Sequence, residues 1–153
     1  MKKEEFMNKK IIISQWTEKL DPIRLFYRKM GYVIEESLQS SDMILVAKSG
    51  KKILAAGRIF KTEHFNIVDD IQMSIAHENM GFVEELRDEI GTRLARESFL
   101  ITRLRHADFY VPIMFRRISE YRAPAILVQR ICRRREKHRD EEFTIMRRMP
   151  CYC

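Results

Sequence analysis

The alternation of apolar and polar positions cuts the chain into short, well-punctuated segments. Residues 11 to 16, IIISQW, form a β-branched run that predicts a strand. In DPIRLFYRKMGY, Asp21 can cap, Pro22 suits the first helical position and Gly31 can take the left-handed conformation that ends a helix, so a helix is predicted over 22 to 30. DMILVAK and KKILAAGRIF flank Ser49 and Gly50, a hairpin pattern; both strands are apolar on both faces in their middles and belong at the centre of a sheet. Gly57 inside the second strand predicts a bulge or a close approach by another backbone. KTEHFNIVDD reads as a polar connection, and IQMSI after it as a half-buried strand. Val83, Leu86, Ile90 and Leu94 recur at helical spacing, with Glu84 and Glu85 early and Arg93 and Arg96 late, which predicts a helix over roughly 80 to 97.

Beyond it, SFLITRL predicts a strand and VPIMFRRISEY a helix whose Met114, Phe115, Ile118 and Tyr121 share a face. Pro124 is read as the end of that helix, AILVQRI as a strand, CRRREKHRDEE as a charged loop and FTIMRRM as the last strand. The order of elements predicts an α/β or α+β domain of three layers, with helices on both faces of a mixed sheet. One domain is expected over 11 to 149, between a charged N-terminal tail, 1 to 10, and a short C-terminal tail, 150 to 153.

Composition sharpens this outline. With 45% hydrophobic and 33% charged residues in 153, the chain can fill one core and keep a charged surface. The net charge of +7 is uneven, because eight Lys and Arg stand against four Asp and Glu from Gln129 onward. Arg133, Arg134, Arg135, Lys137 and Arg139 are candidates for a polyanion, whether nucleic acid, cofactor phosphates or an acidic protein. Aromatics are not interleaved there, so contact with nucleic acid would ignore base sequence and depend strongly on salt. No apolar run reaches a membrane span and the N-terminus carries no apolar signal core, so a soluble, cytoplasmic protein without membrane partners is expected. Cys132, Cys151 and Cys153 with His138 match no common zinc spacing, and no metal is expected.

Several stretches, in their order, resemble the GNAT acyltransferase superfamily over about residues 11 to 149. DMILVAKSGKKILAAGRIF looks like the second and third GNAT strands with their glycine-containing turn. VPIMFRRISEYRAPAILV stands where the fourth GNAT helix leads into strand six, and EEFTIMRRM looks like the final strand. The resemblance implies a mixed, mostly antiparallel sheet and acetyl-coenzyme A or another acyl-coenzyme A bound where strands four and five part. It assigns the pantetheine arm to Ile71, Met73 and Ile75, and the pyrophosphate to the loop and helix start at His77, Asn79, Met80, Gly81 and Phe82. A helix N-terminus offers free N–H donors and partial positive charge to such a group. The family loop carries a second glycine or alanine that AHENMGFVEEL lacks, and Glu78, Glu84 and Glu85 set negative charge beside the phosphates.

The resemblance also implies direct attack of an amine on the thioester, with a carboxylate or water chain as base and often a tyrosine or cysteine as acid. Asp69, Asp70, Glu63 and His64 lie nearest as bases; His106 and Asp108 after strand five form a second acid–base candidate, although Asp108 can equally cap a helix. Tyr110 and Tyr121 are candidate acids, while Phe115 falls where the family tyrosine usually stands. No glycine-rich nucleotide fingerprint, phosphate loop or nucleophile elbow occurs. Three readings follow: an acyltransferase acting on an amine of an acidic or nucleic-acid-linked acceptor; a degenerate GNAT-like binding or structural module, as in some tailed-phage proteins; and a basic nucleic-acid-binding domain.

Overall fold

A computed structural model describes residues 10–34, 37–74 and 81–150. Seven strands form one sheet in the order β1-β2-β3-β4-β5-β7-β6. They are β1 (Ile11–Gln15), β2 (Met43–Ser49), β3 (Lys52–Lys61), β4 (Asn66–Met73), β5 (Ser98–Arg103), β6 (Arg116–Ile118) and β7 (Phe143–Arg148); the α-helices are α1 (Asp21–Lys29), α2 (Phe82–Thr92) and α3 (Ala125–Lys137). The mixed sheet with its helices matches the predicted fold class. By contact density the described residues fall into two units, one up to Arg58 with Ile71–Ile90, the other Ile59–Asp70 with residues from Gly91 onward.

In the first unit, β1 runs antiparallel to β2, from Ile11 opposite Ser49 to Gln15 opposite Leu45. The β2–β3 hairpin forms as predicted, with Gly50 at φ +60°. One face of these strands presents Ile44, Val46 and Ala56 to Ile23, Phe26 and Tyr27 of α1. Pro22 stands in the first turn of α1, Asp21 pairs with Arg24 at 3.0 Å, and Gly31 just beyond is left-handed, as the pattern required. Burying each large apolar side chain on this face contributes about 1.5–3 kcal/mol.

Strand alternation turns Gly57 to the opposite face from Ala56. There the close approach is by a side chain: a Cβ at Gly57 would collide with Cδ1 of Ile90 on α2. Arg58 of β3 and Asp42, just before β2, form a buried ion pair at 2.7 Å, and Arg58 also donates to the Ser37 carbonyl at 3.1 Å.

In the second unit, β4 and β5 run parallel, Asn66–Val68 against Ser98–Leu100. β5 pairs antiparallel with β7 from Ser98 opposite Arg148 to Arg103 opposite Phe143, and β7 pairs with the edge strand β6. Leu127 and Ile131 of α3 pack on Ile67, Phe99, Ile101 and Ile145.

Four expectations are corrected here. The segment NIVDD is the buried first half of β4 rather than a polar connection; its two aspartates hid the strand. α2 stops at Thr92, and Arg96, expected in its last turn, instead donates to the carbonyls of Thr62, Glu63 and Phe65 and to Asn66 Oδ1, closing the loop before β4. VPIMFRRISEY is not an α-helix: a 3-10 helix over Leu104–Ile113 ends at Met114, which is left-handed at φ 73°, and the chain continues as β6. AILVQRI is not a strand but the start of α3, which also takes in residues 132 to 137 of the expected charged loop; its Leu127, Arg130 and Ile131 share the buried face. Pro124 precedes that helix, a placement that favours helix initiation rather than termination.

Candidate functional site

The second unit gathers its titratable chemistry around Asp70. This residue sits on β4 two positions beyond the last β4–β5 register pair, Val68 opposite Leu100. Two positions beyond Leu100 stands Thr102, and its hydroxyl donates to Asp70 Oδ2 at 3.0 Å. The hydroxyl of Tyr110, in the 3-10 helix, donates to the other oxygen, Oδ1. Tyr110 is itself buried, its ring edge-on to Phe109 and Phe115.

Burial pushes the Asp70 carboxyl above its ordinary value of 3.8. The hydrogen bonds from Tyr110 and Thr102 oppose that rise, as do the charges of Arg134 and His106. The arrangement is a carboxyl held protonable at higher pH than usual, joined directly to a phenol. Such a couple can accept a proton at one oxygen and pass one along the shared hydrogen bond.

The other candidates spread out. His106 and Asp108 are both exposed on the 3-10 helix, and the charge of His106 acts on Asp70. Tyr121 lies fully exposed in a second 3-10 helix, Glu120–Arg122. Glu63 and His64 are an exposed pair in the loop before β4, while Asp69 is buried within it. Thr102 was missed; its only trace in the sequence is its alternation with Leu100 along SFLITR.

Of the residues expected at a cofactor, Ile71 and Met73 are half-buried on the second part of β4, and Gly81 and Phe82 stand at the start of α2. Ile75, His77, Asn79 and Met80 lie outside the described residues. Gly81 has φ +76°, where a side chain would be strained, and among the described residues, its chain neighbours apart, no atom lies within 4 Å of the position its Cβ would take. The open approach and the first-turn N–H groups fit a pyrophosphate. Glu84 and Glu85, exposed in that same turn, oppose one.

The basic run is distributed around α3. Arg130 is buried with its guanidinium over the Phe60 ring, 5.9 Å from the centroid. Arg134 contributes its charge to Asp70, Arg135 pairs with Glu120, and Arg133 and Lys137 are exposed. Arg139 follows the helix at a separate cleft.

The sheet order, with a parallel β4–β5 pair at its middle and helices packed on it, defines the fold of the GNAT acetyltransferases. The chain is similar to a GNAT-family acetyltransferase from Streptococcus pneumoniae, with a TM-score of 0.65 and 13% identity over 93% of this chain and 100% of that one. ElaA from Escherichia coli gives a TM-score of 0.65 at 12% identity, over 91% of this chain and 99% of that one. N-acetylglutamate synthase from Neisseria gonorrhoeae, complexed with coenzyme A and N-acetyl-glutamate, gives 0.63 at 14% identity; the match covers 94% of this chain and 36% of that longer one. No protein-family model matches the sequence, and no curated protein does. Among the described residues, no helix is long and apolar enough to cross a membrane.

Proposed function

We propose that this protein transfers an acyl group from an acyl-coenzyme A, with acetyl-coenzyme A the simplest donor, to an amine. The observation that carries the reading is the buried Asp70–Tyr110 couple just past the end of the β4–β5 pairing in a GNAT fold. The amine nitrogen attacks the thioester carbonyl directly, the new C–N bond forms and the C–S bond breaks, with no covalent enzyme intermediate. Asp70 takes the proton the amine loses, Tyr110 gives its phenolic proton to the departing thiolate, and the shared hydrogen bond returns a proton from Asp70 to Tyr110. The net movement is one proton from nitrogen to sulfur, so the couple resets at each turnover. Ile71 and Met73 would flank the pantetheine arm, and the backbone at Gly81 and Phe82 would hold the pyrophosphate.

A binding module without catalysis is the second reading, favoured by the two glutamates in the first turn of α2. Nucleic-acid binding has less support, since α3 sends its arginines in different directions and buries Arg130.

Thermal unfolding with acetyl-coenzyme A, followed by thiol release in the presence of a panel of amines, tests the proposal. A ligand present at 100 times its Kd raises stability by about 2.7 kcal/mol. Tyr110→Phe is expected to keep that shift and to lower kcat by about 10²–10⁴. Absence of any shift with acetyl-coenzyme A overturns acyl transfer. A shift without thiol release for any amine supports the binding module, and a shift with DNA that vanishes at higher salt supports the third reading.

A further inference from the structure

The C-terminal end of β5 opens on a cleft of about 470 Å³, lined by Arg117, Arg135, Arg139, Glu141, Glu142 and Phe143. The sequence separates these side chains into three places: β6, the end of α3 with the turn after it, and the approach to β7. Antiparallel pairing of β6 with β7 and the bond from the Leu104 N–H to the Glu142 carbonyl, 2.8 Å, bring them together.

The charges in and around the cleft are not equivalent. Glu141 is held by two arginines, Arg103 at the end of β5 at 3.4 Å and Arg105 in the 3-10 helix after it at 3.0 Å. Arg135 is held by Glu120. Among the described residues, no hydrogen bond or ion pair engages the guanidinium of Arg117 or Arg139. Five arginines thus face three glutamates, and the two guanidiniums without a protein partner converge on one opening. An arginine fork matches the two oxygens of a carboxylate or phosphate in plane, and its bonds to such a group are among the stronger ones available to a side chain.

Along the chain, residues of the cleft follow directly on residues that act on Asp70. Thr102, which bonds Asp70, is followed by Arg103 and Leu104 at the cleft; Arg134, which acts on Asp70, is followed by Arg135. We infer that this cleft takes the anionic group of the acceptor, so that the preferred substrate is a small amine bearing a carboxylate or a phosphate. The cleft's volume, about 470 Å³, admits such a molecule. The inference rests on the acyl-transfer reading for the word acceptor, though not for the binding of the anion.

The test uses the full chain and two readouts. Arginine Nε–Hε NMR signals are followed while glutamate, phosphoserine or n-butylamine is added; thiol release from acetyl-coenzyme A is measured with each as acceptor. Saturable shifts of Arg117 and Arg139 with one or both anionic amines, and none with n-butylamine, are expected, and the better ligand identifies carboxylate or phosphate. In Arg117→Gln/Arg139→Gln, the ratio of kcat/KM for the anionic amine to that for n-butylamine should fall by about 10- to 100-fold, the effect of losing one or two charge-assisted contacts. Anion-dependent shifts without thiol release sustain the cleft and overturn acyl transfer. Thiol release with an unchanged ratio sustains acyl transfer and overturns the cleft, as does the absence of saturable shifts.

Discussion

Replacing Asp70 by Asn separates what the residue does for chemistry from what it costs the fold. Burial raises the Asp70 carboxyl above 3.8, with the Tyr110 and Thr102 hydroxyls opposing. The unfolded chain therefore releases this proton at lower pH than the folded one does. Its contribution to stability is complete below the unfolded value and is lost as pH rises through the folded value. Above that window the protein holds an anion that burial disfavours. Asparagine keeps the size and one acceptor oxygen, carries no charge, and offers its amide to the oxygen of whichever hydroxyl loses its acceptor. Asp70→Asn is thus expected to be more stable than the parent at pH 8, and to lose that advantage at pH 4. For a chain of this size, a melting shift of roughly 2–4 °C accompanies each kcal/mol. Urea denaturation at pH 4, 6 and 8, read as midpoints at a common slope, measures the difference. Thiol release should fall by about 10²–10⁴ at the same time, since the amide cannot accept the proton. A variant less stable than the parent by the same amount at all three pH values would refute the reasoning, because the two hydroxyl bonds would then outweigh the cost of burial.

Two further outcomes bear on the first unit. Asp42→Asn should cost about 3–5 kcal/mol in urea denaturation, since it leaves the Arg58 guanidinium buried without its anion; Arg58→Met/Asp42→Leu should recover most of that loss. Gly57→Ala should destabilise by about 1–3 kcal/mol through its collision with Ile90, and Ile90→Val in the same chain should recover part of it, a non-additivity that a double-mutant cycle reads directly.

Where local chemistry alone decides an element, the sequence announced it. Ser49 and Gly50 fix the β2–β3 hairpin because only a few residues tolerate that turn, and Pro22 and Gly31 bracket α1 for similar reasons. The misread elements are those whose state depends on partners far along the chain. Asp69 and Asp70 lie in a strand because β5 stands beside it, and nothing in NIVDD itself offsets the burial of two carboxylates. AILVQRI has the β-branched content of a strand, yet Leu127 and Ile131, one turn apart, find their apolar surface on β4, β5 and β7. The site follows the same rule. Asp70 and Tyr110 were both named as candidates, but 40 residues separate them, and only the parallel crossover through α2 brings β5, and the 3-10 helix after it, to the Asp70 end of β4. The arginine cleft is the extreme case. In the sequence, residues 133 to 139 look like one basic stripe, whereas α3 turns by about 100° per residue and directs neighbouring arginines to different tasks. Charge counted along the chain indicated an affinity for anions. Charge placed by the fold narrows that to two guanidiniums, Arg117 and Arg139, around one opening.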